Sequence, residues 1–206
     1  MDPEAFMLLR YPDKTPEDLN TEIYCKDFQK AKDLVENGCP IDSDTFNAAA
    51  DSGNLEFVQF LHERGCPWDE LTCSAGSRTL EILQYLHQHG CPWDEDTCYT
   101  AAEHGNLDCL KYAHENGCPW DDEITESAAQ QGNLDVITYI HENGLPWKKD
   151  TFQRIMYSRN IECLKYAREK GCPFNKKKCL SIILRSIDEY KDPRHFDEVI
   201  AYLKSL

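Results

Sequence analysis

No run of about 18 apolar residues interrupts this chain, so no membrane-spanning helix is expected. The opening, Met1 to Met7, has neither a basic stretch nor an apolar core, so no secretory signal is expected either. Cys-x-x-Cys is missing although the chain holds 11 cysteines, and with it goes the commonest ligand spacing of a structural zinc site. Positive charge is scarce over residues 1–145, with 8 Lys and Arg against 29 Asp and Glu. Residues 146–206 reverse the balance, with 14 against 8. The whole carries a net charge of -15. An acidic surface of this kind repels phosphates, so nucleic acid is a disfavoured partner for the chain as a whole. An odd number of thiols without a secretory signal points to a reducing compartment, cytoplasmic or nuclear, where buried Cys acts as a small apolar residue.

What is present is repetition. Gly-Cys-Pro occurs at Gly38, Gly65, Gly90, Gly117 and Gly171, and Gly144-Leu145-Pro146 fills the remaining place. The glycines are spaced by 27, 25, 27, 27 and 27 residues. One fixed spacing across most of a chain is the signature of a stacked repeat array. With 41% hydrophobic and 29% charged residues, such an array can bury a core.

Each unit reads as two helices. After Pro-Trp-Asp comes a first helix with two small residues, Ala49-Ala50, Ala101-Ala102 or Ala128-Ala129. A glycine stops it (Gly53, Gly105, Gly132), and Asn54, Asn106 or Asn133 caps the second helix. That helix sets Leu55, Val58 and Leu61, or Leu107, Leu110 and Ala113, or Leu134, Ile137 and Ile140, in one apolar stripe. Small side chains let successive hairpins approach, and each buries its neighbour's apolar face. Trp68, Trp93, Trp120 and Trp147 would form a ladder in the loops. The expected divisions are an irregular leader over 1–26, a half repeat over 27–39, units at 40–66, 67–91, 92–118, 119–145 and 146–172, and a terminal cap over 173–206. Unit 67–91 lacks two residues of its first helix, which predicts a kink or a shortened helix. Unit 146–172 replaces the small pair by Ile155-Met156 and the stop glycine by Arg159. The fold class is therefore all-α, a solenoid of antiparallel helix hairpins.

The run from Ala101 to Cys118, Ala-Ala-Glu-His-Gly-Asn-Leu-Asp-Cys-Leu-Lys-Tyr-Ala-His-Glu-Asn-Gly-Cys, resembles the ankyrin repeat over about residues 27–185. Two departures stand out: the period is 27 and not 33, and the Thr-Pro-Leu-His opening is absent. The missing residues fall at the family's β-hairpin finger, so fingers are expected to be reduced or absent. The Gly-Cys-Pro-Trp-Asp variant is similar to short ankyrin repeats of giant DNA viruses and some microbial eukaryotes. The resemblance thus implies a viral source, action inside an infected host cell, and a cellular protein as partner.

The candidate chemistry is weak by comparison. Equivalent cysteines on successive hairpins would lie about 8–10 Å apart, too far for one ion or a disulfide. His62, His87, His114 and His141 share one repeat slot three residues before the closing glycine. This points to a structural task, such as bonding a loop carbonyl, and not to a single catalytic base. The acidic clusters at 94–96 and 121–123 lack the pattern of a calcium loop. No enzyme activity, metal or cofactor is therefore expected. Lys148, Lys149, Arg154, Arg159, Lys165, Arg168, Lys170 and Lys176 to Lys178 form a basic cluster that suits an acidic partner, and opposite charges also allow self-association.

The expected function is a non-catalytic scaffold that binds a protein along the concave face of the stack. Candidate contacts are the non-repeating positions of the first helices: Asn47, Asp51, Tyr99, Glu103, Glu126, Gln130, Gln153, Arg154 and Tyr157. The alternatives are a thiol-based metal- or redox-responsive protein, and nucleic-acid binding through the basic last third.

Overall fold

Several helices of this chain start where a side-chain oxygen caps them. Asp42 accepts a hydrogen bond from the Thr45 amide at 2.8 Å, and Asn54 accepts one from the Phe57 amide at 2.9 Å. Each satisfies one amide that a first helical turn leaves without a partner. The computed structural model describes residues 14–190 and 196–206. Among these are 14 helices and no strand. They are α1 Pro16–Tyr24, α2 Phe28–Glu36, α3 Ser43–Asp51, α4 Leu55–Glu63, α5 Glu70–Gly76, α6 Leu80–Gln88, α7 Glu95–Glu103, α8 Leu107–Glu115, α9 Glu123–Gln131, α10 Leu134–Glu142, α11 Thr151–Ser158, α12 Ile161–Glu169, α13 Lys176–Tyr190 and α14 Asp197–Ser205. The chain divides into two compact units, Met1–Ala101 with Asp108–Pro119, and Ala102–Leu107 with Trp120–Leu206.

In the first unit, first helices stack on first helices: α1 packs on α3 and α3 on α5. The small pair Ala49-Ala50 lies within this packing and is buried. Second helices bury Phe57, Val58 and Leu61 on α4, and Ile82, Leu83 and Leu86 on α6. The buried spacing is thus i, i+1, i+4. The expected stripe began two positions earlier, at Leu55, which is only half-buried. A fully buried phenylalanine such as Phe46 or Phe57 contributes about 1.5–3 kcal/mol. The unit with the 25-residue spacing does have a short first helix. α5 has 7 residues where α3 has 9, and Gly76 sits in it against Leu86 and Ile82, where an added Cβ would collide.

The repeat cysteine closes each hairpin at its base. Cys39, Cys66, Cys91 and Cys118 direct their S–H at the carbonyls of Thr15, Asp42, Asp69 and Asp94, at 3.4, 3.2, 3.6 and 3.1 Å. Each carbonyl belongs to the residue just before the hairpin's own first helix. The thiol therefore ties the end of one helix to the start of its partner.

Residues 14–26 are not an irregular leader, contrary to expectation; residues 1–13 lie outside the described part. Thr15 and Asp18 make a reciprocal capping box, and α1 buries Leu19 and Ile23. Lys26 has φ +59°, the left-handed conformation that Gly53 holds in the next hairpin. Asp27 then caps α2 by accepting from the Lys30 amide. A complete hairpin is therefore present with the diagnostic residues replaced. The half repeat at 27–39 is its second half.

Two of the repeat histidines, His62 and His87, meet tyrosines and not the expected loop carbonyls. His62 Nδ1 lies 2.7 Å from the Tyr85 hydroxyl and His87 Nδ1 2.8 Å from that of Tyr112, each linking a second helix to the next one. The first two tryptophans of the expected ladder pack on these same histidines. Trp68 and Trp93 lie against His62 and His87, with ring centroids 4.5 and 3.9 Å apart.

In the second unit α9 packs on α11, α10 on α12, and α13 on α14. Asn133 and Asn160 cap α10 and α12 and also donate to the carbonyls of Gly105 and Gly132, at 3.1 and 2.9 Å. That approach is why the stop residue here is glycine. Gly132 has φ +68°, and an added Cβ would also run into Ser158. His141 stacks on Trp147 at 4.4 Å, as in the first unit. The region expected as a cap contains α13 and α14; Asp192-Pro193, where the sequence suggests a helix break, falls outside the described residues.

Candidate functional site

The nine candidate contacts all stand on first helices, and none is buried. In the first unit, Asn47 is drawn into the start of the next hairpin. Its amide donates to Asp69 at 3.4 Å and its carbonyl accepts from Thr72. Asp51 forms an ion pair with Arg78 at 2.7 Å. These two side chains therefore spend their polar groups on packing between hairpins. Tyr99 is half-buried on α7.

In the second unit, Glu103 is exposed, and the structure gathers most of the others. Gln130, Gln153, Arg154 and Tyr157, with Asp150, line an open depression of about 400 Å³ between α9 and α11. Arg154 is held there by Glu126 at 2.6 Å and by Gln130 at 3.4 Å. Its charge is already matched, so Arg154 shapes the depression more than it attracts an anion. Tyr157 is 45% exposed, and its hydroxyl lies 3.4 Å from that of Ser186.

A second depression, of about 300 Å³, lies between the starts of α11 and α13. Gln153 borders both depressions. Phe152 and Phe174 stack at its floor with centroids 4.7 Å apart. Phe152 is fully buried and Phe174 is 37% exposed. Asn175, Lys149 and Lys178 complete the rim. Lys178 faces Asp150 at a long 3.8 Å, whereas Lys148 pairs with Asp122 at 3.0 Å. Sequence reading passed over Lys149, Phe174 and Lys178 as individuals. The Lys176 to Lys178 run and a phenylalanine in the tryptophan slot were visible, but not which lysines would face an aromatic floor.

Ten of the 11 cysteines are buried and Cys25 is exposed, all as free thiols. Burial pushes the Cys66, Cys109 and Cys172 thiols up to about 12, because a thiolate loses its hydration there. Among the described residues no cluster of three His, Cys, Asp or Glu side chains is placed to hold a metal ion. No helix among them is long and apolar enough to cross a membrane.

The fold is thus that of a helical-hairpin repeat protein. No family model matches the chain, and no curated protein matches it. Among solved structures it is similar to the pentatricopeptide repeat protein PPR10 from maize, at 16% identity and a TM-score of 0.43, over 77% of this chain and 29% of that one. The structure of PPR10 in complex with an 18-nucleotide psaJ RNA element is similar at 13% identity and a TM-score of 0.37, over 84% of this chain and 38% of that one. The chain therefore spans well under half of the chains it matches.

Proposed function

We propose that this chain is a non-catalytic scaffold that binds a protein partner along its first helices. Its kinship is with the short ankyrin-like repeats that its Gly-Cys-Pro-Trp-Asp units resemble, which carries with it a viral source and a cellular partner. One observation supports the reading above the others. Repeat-locked residues are consumed by packing, as the alanine pairs, the hairpin-closing thiols and the His–Tyr links show. Several positions that change from hairpin to hairpin are left at the surface: Glu103, Gln130 and Tyr157 occupy one place in consecutive hairpins and differ in size and chemistry. A surface whose chemistry varies along the row suits a heteropolymeric partner better than a repeated small ligand. Thiols held by burial well above neutral pKa fit a structural role in a reducing compartment and speak against reactive or metal-binding ones.

The test places a photo-crosslinking residue at Tyr99 and at Tyr157 in separate proteins and exposes each to host-cell lysate. Crosslinks to a defined protein at these positions, and none from a crosslinker at exposed Glu63 on a second helix, are the expected outcome. Crosslinks that appear equally from all three positions would sink the reading.

A further inference from the structure

We propose that the depression between the starts of α11 and α13 takes an acidic peptide segment bearing an apolar side chain. The inference rests on the scaffold reading and names the partner's chemistry at one place on it. Its floor supplies an aromatic surface. Phe174 stacks on the buried Phe152 and keeps over a third of its area open, so an incoming apolar side chain would find a rigid ring already ordered. Exposed apolar surface flanked by polar groups is the usual anatomy of a binding spot.

The rim supplies charge that the protein itself leaves unspent. Among the described residues, Lys149 and the exposed neighbour Lys177 have no ion-pair partner. The Lys178–Asp150 pair is the longest of the described ion pairs, at 3.8 Å, and both side chains are more than half exposed. Such a pair contributes little to stability, so a carboxylate from outside can take its place at small cost. The contrast with Arg154 decides which pole attracts an anion, because Arg154 is already pinned by Glu126 at 2.6 Å.

The same chemistry favours a peptide over RNA. A short acidic segment places a few carboxylates beside two or three lysines. A nucleic-acid strand places a phosphate at every residue, so most of its charges find no lysine here and are opposed by the net charge of -15 on the chain as a whole. Gln153, shared by both depressions, can also donate to and accept from an extended peptide backbone.

The experiment measures fluorescence anisotropy of a labelled dodecapeptide of Glu and Gly with one central Phe. Its controls are the same peptide with Gln for Glu, and an oligouridylate of equal length. The Glu peptide is expected to bind, the Gln peptide to bind about tenfold more weakly, and added salt to weaken the Glu peptide alone. The double variant Lys149→Glu/Lys178→Glu, at exposed positions that leave the fold intact by circular dichroism, is expected to lose about tenfold. Phe174→Ala is expected to lose several-fold. Equal binding of both peptides, or no effect of the double variant, overturns the proposal. So does tighter binding of the oligouridylate that the double variant abolishes, which assigns these lysines to nucleic acid. If the peptide fails while crosslinks at Tyr99 and Tyr157 still capture a protein, this inference falls and the scaffold reading stands.

Discussion

Helices α9 and α11 fill the same place in consecutive hairpins and pack on each other, yet they fill it with different volumes. α9 buries Ala128 and Ala129, and α11 buries Ile155 and Met156, all at 0% exposure. α9 ends on Gly132 and α11 on Arg159, with φ of +68° and +63°. Burial and backbone conformation are thus held constant, while volume and residue type are not. The slot demands to be filled and dry, and the neighbouring helices adjust to what fills it.

The comparison can be broken from either side. Met156→Ala leaves a cavity and should cost about 2–5 kcal/mol in urea unfolding. Ala129→Met overfills the slot and should cost about 1–3 kcal/mol; a neutral result would mean that α9 was never tightly packed. At the stop position the two sites should answer with opposite signs. Gly132→Ala should destabilise by at least about 1 kcal/mol, since it adds both a strained backbone and a collision with Ser158. Arg159→Gly should stabilise by about 0.5 kcal/mol, because relief of backbone strain exceeds the added freedom of the unfolded chain. Lys26→Gly, with φ +59° at the same place in the first hairpin, should share that sign.

A smaller effect separates the histidine slot from its replacement. Burial, with His89 beside it, holds His62 below its ordinary value of 6.5. The folded state therefore binds fewer protons than the unfolded one near pH 6. Stability from this group is complete above pH 6.5 and declines as pH falls through the folded pKa. In α12 the equivalent residue is Arg168. Melting temperature measured from pH 7.5 to 5 should fall, and His62→Gln should flatten the slope. A slope unchanged by His62→Gln would refute the assignment.

The smallest effect is chemical. Exposed Cys25 should be alkylated at once in the native protein at pH 8, and the ten buried thiols only on unfolding. Mass spectrometry counts the adducts, and several native adducts would show that the hairpin bases open readily.

Much of the architecture was legible because repetition amplifies weak local signals. Glycine before asparagine, seen in register at Gly53-Asn54 and Gly132-Asn133, marks a helix end and the next start wherever it occurs. The first half of the first hairpin escaped notice for the same reason. With Lys26 in the glycine place and Asp27 in the asparagine place, nothing in the local sequence announced a turn that packing alone holds. The start of the apolar stripe was misread by two positions because Leu55 and Phe57 are both strongly apolar, and only the neighbouring hairpin decides which one turns inward. At the candidate site, Arg154 and Lys178 looked alike as basic residues. Their difference lies in Glu126, one hairpin away in sequence and in contact only after folding.

By itself, then, the sequence determined the hairpin and its period, because caps, stops and small pairs act over a few residues and need no distant partner. The tertiary structure alone decided which cations are neutralised, which histidine nitrogen meets which tyrosine, and where an aromatic floor is left open. Those outcomes depend on side chains brought together from residues 20 or more positions apart, as His62 is with Tyr85 and Arg154 with Glu126, and local propensity carries no record of such meetings.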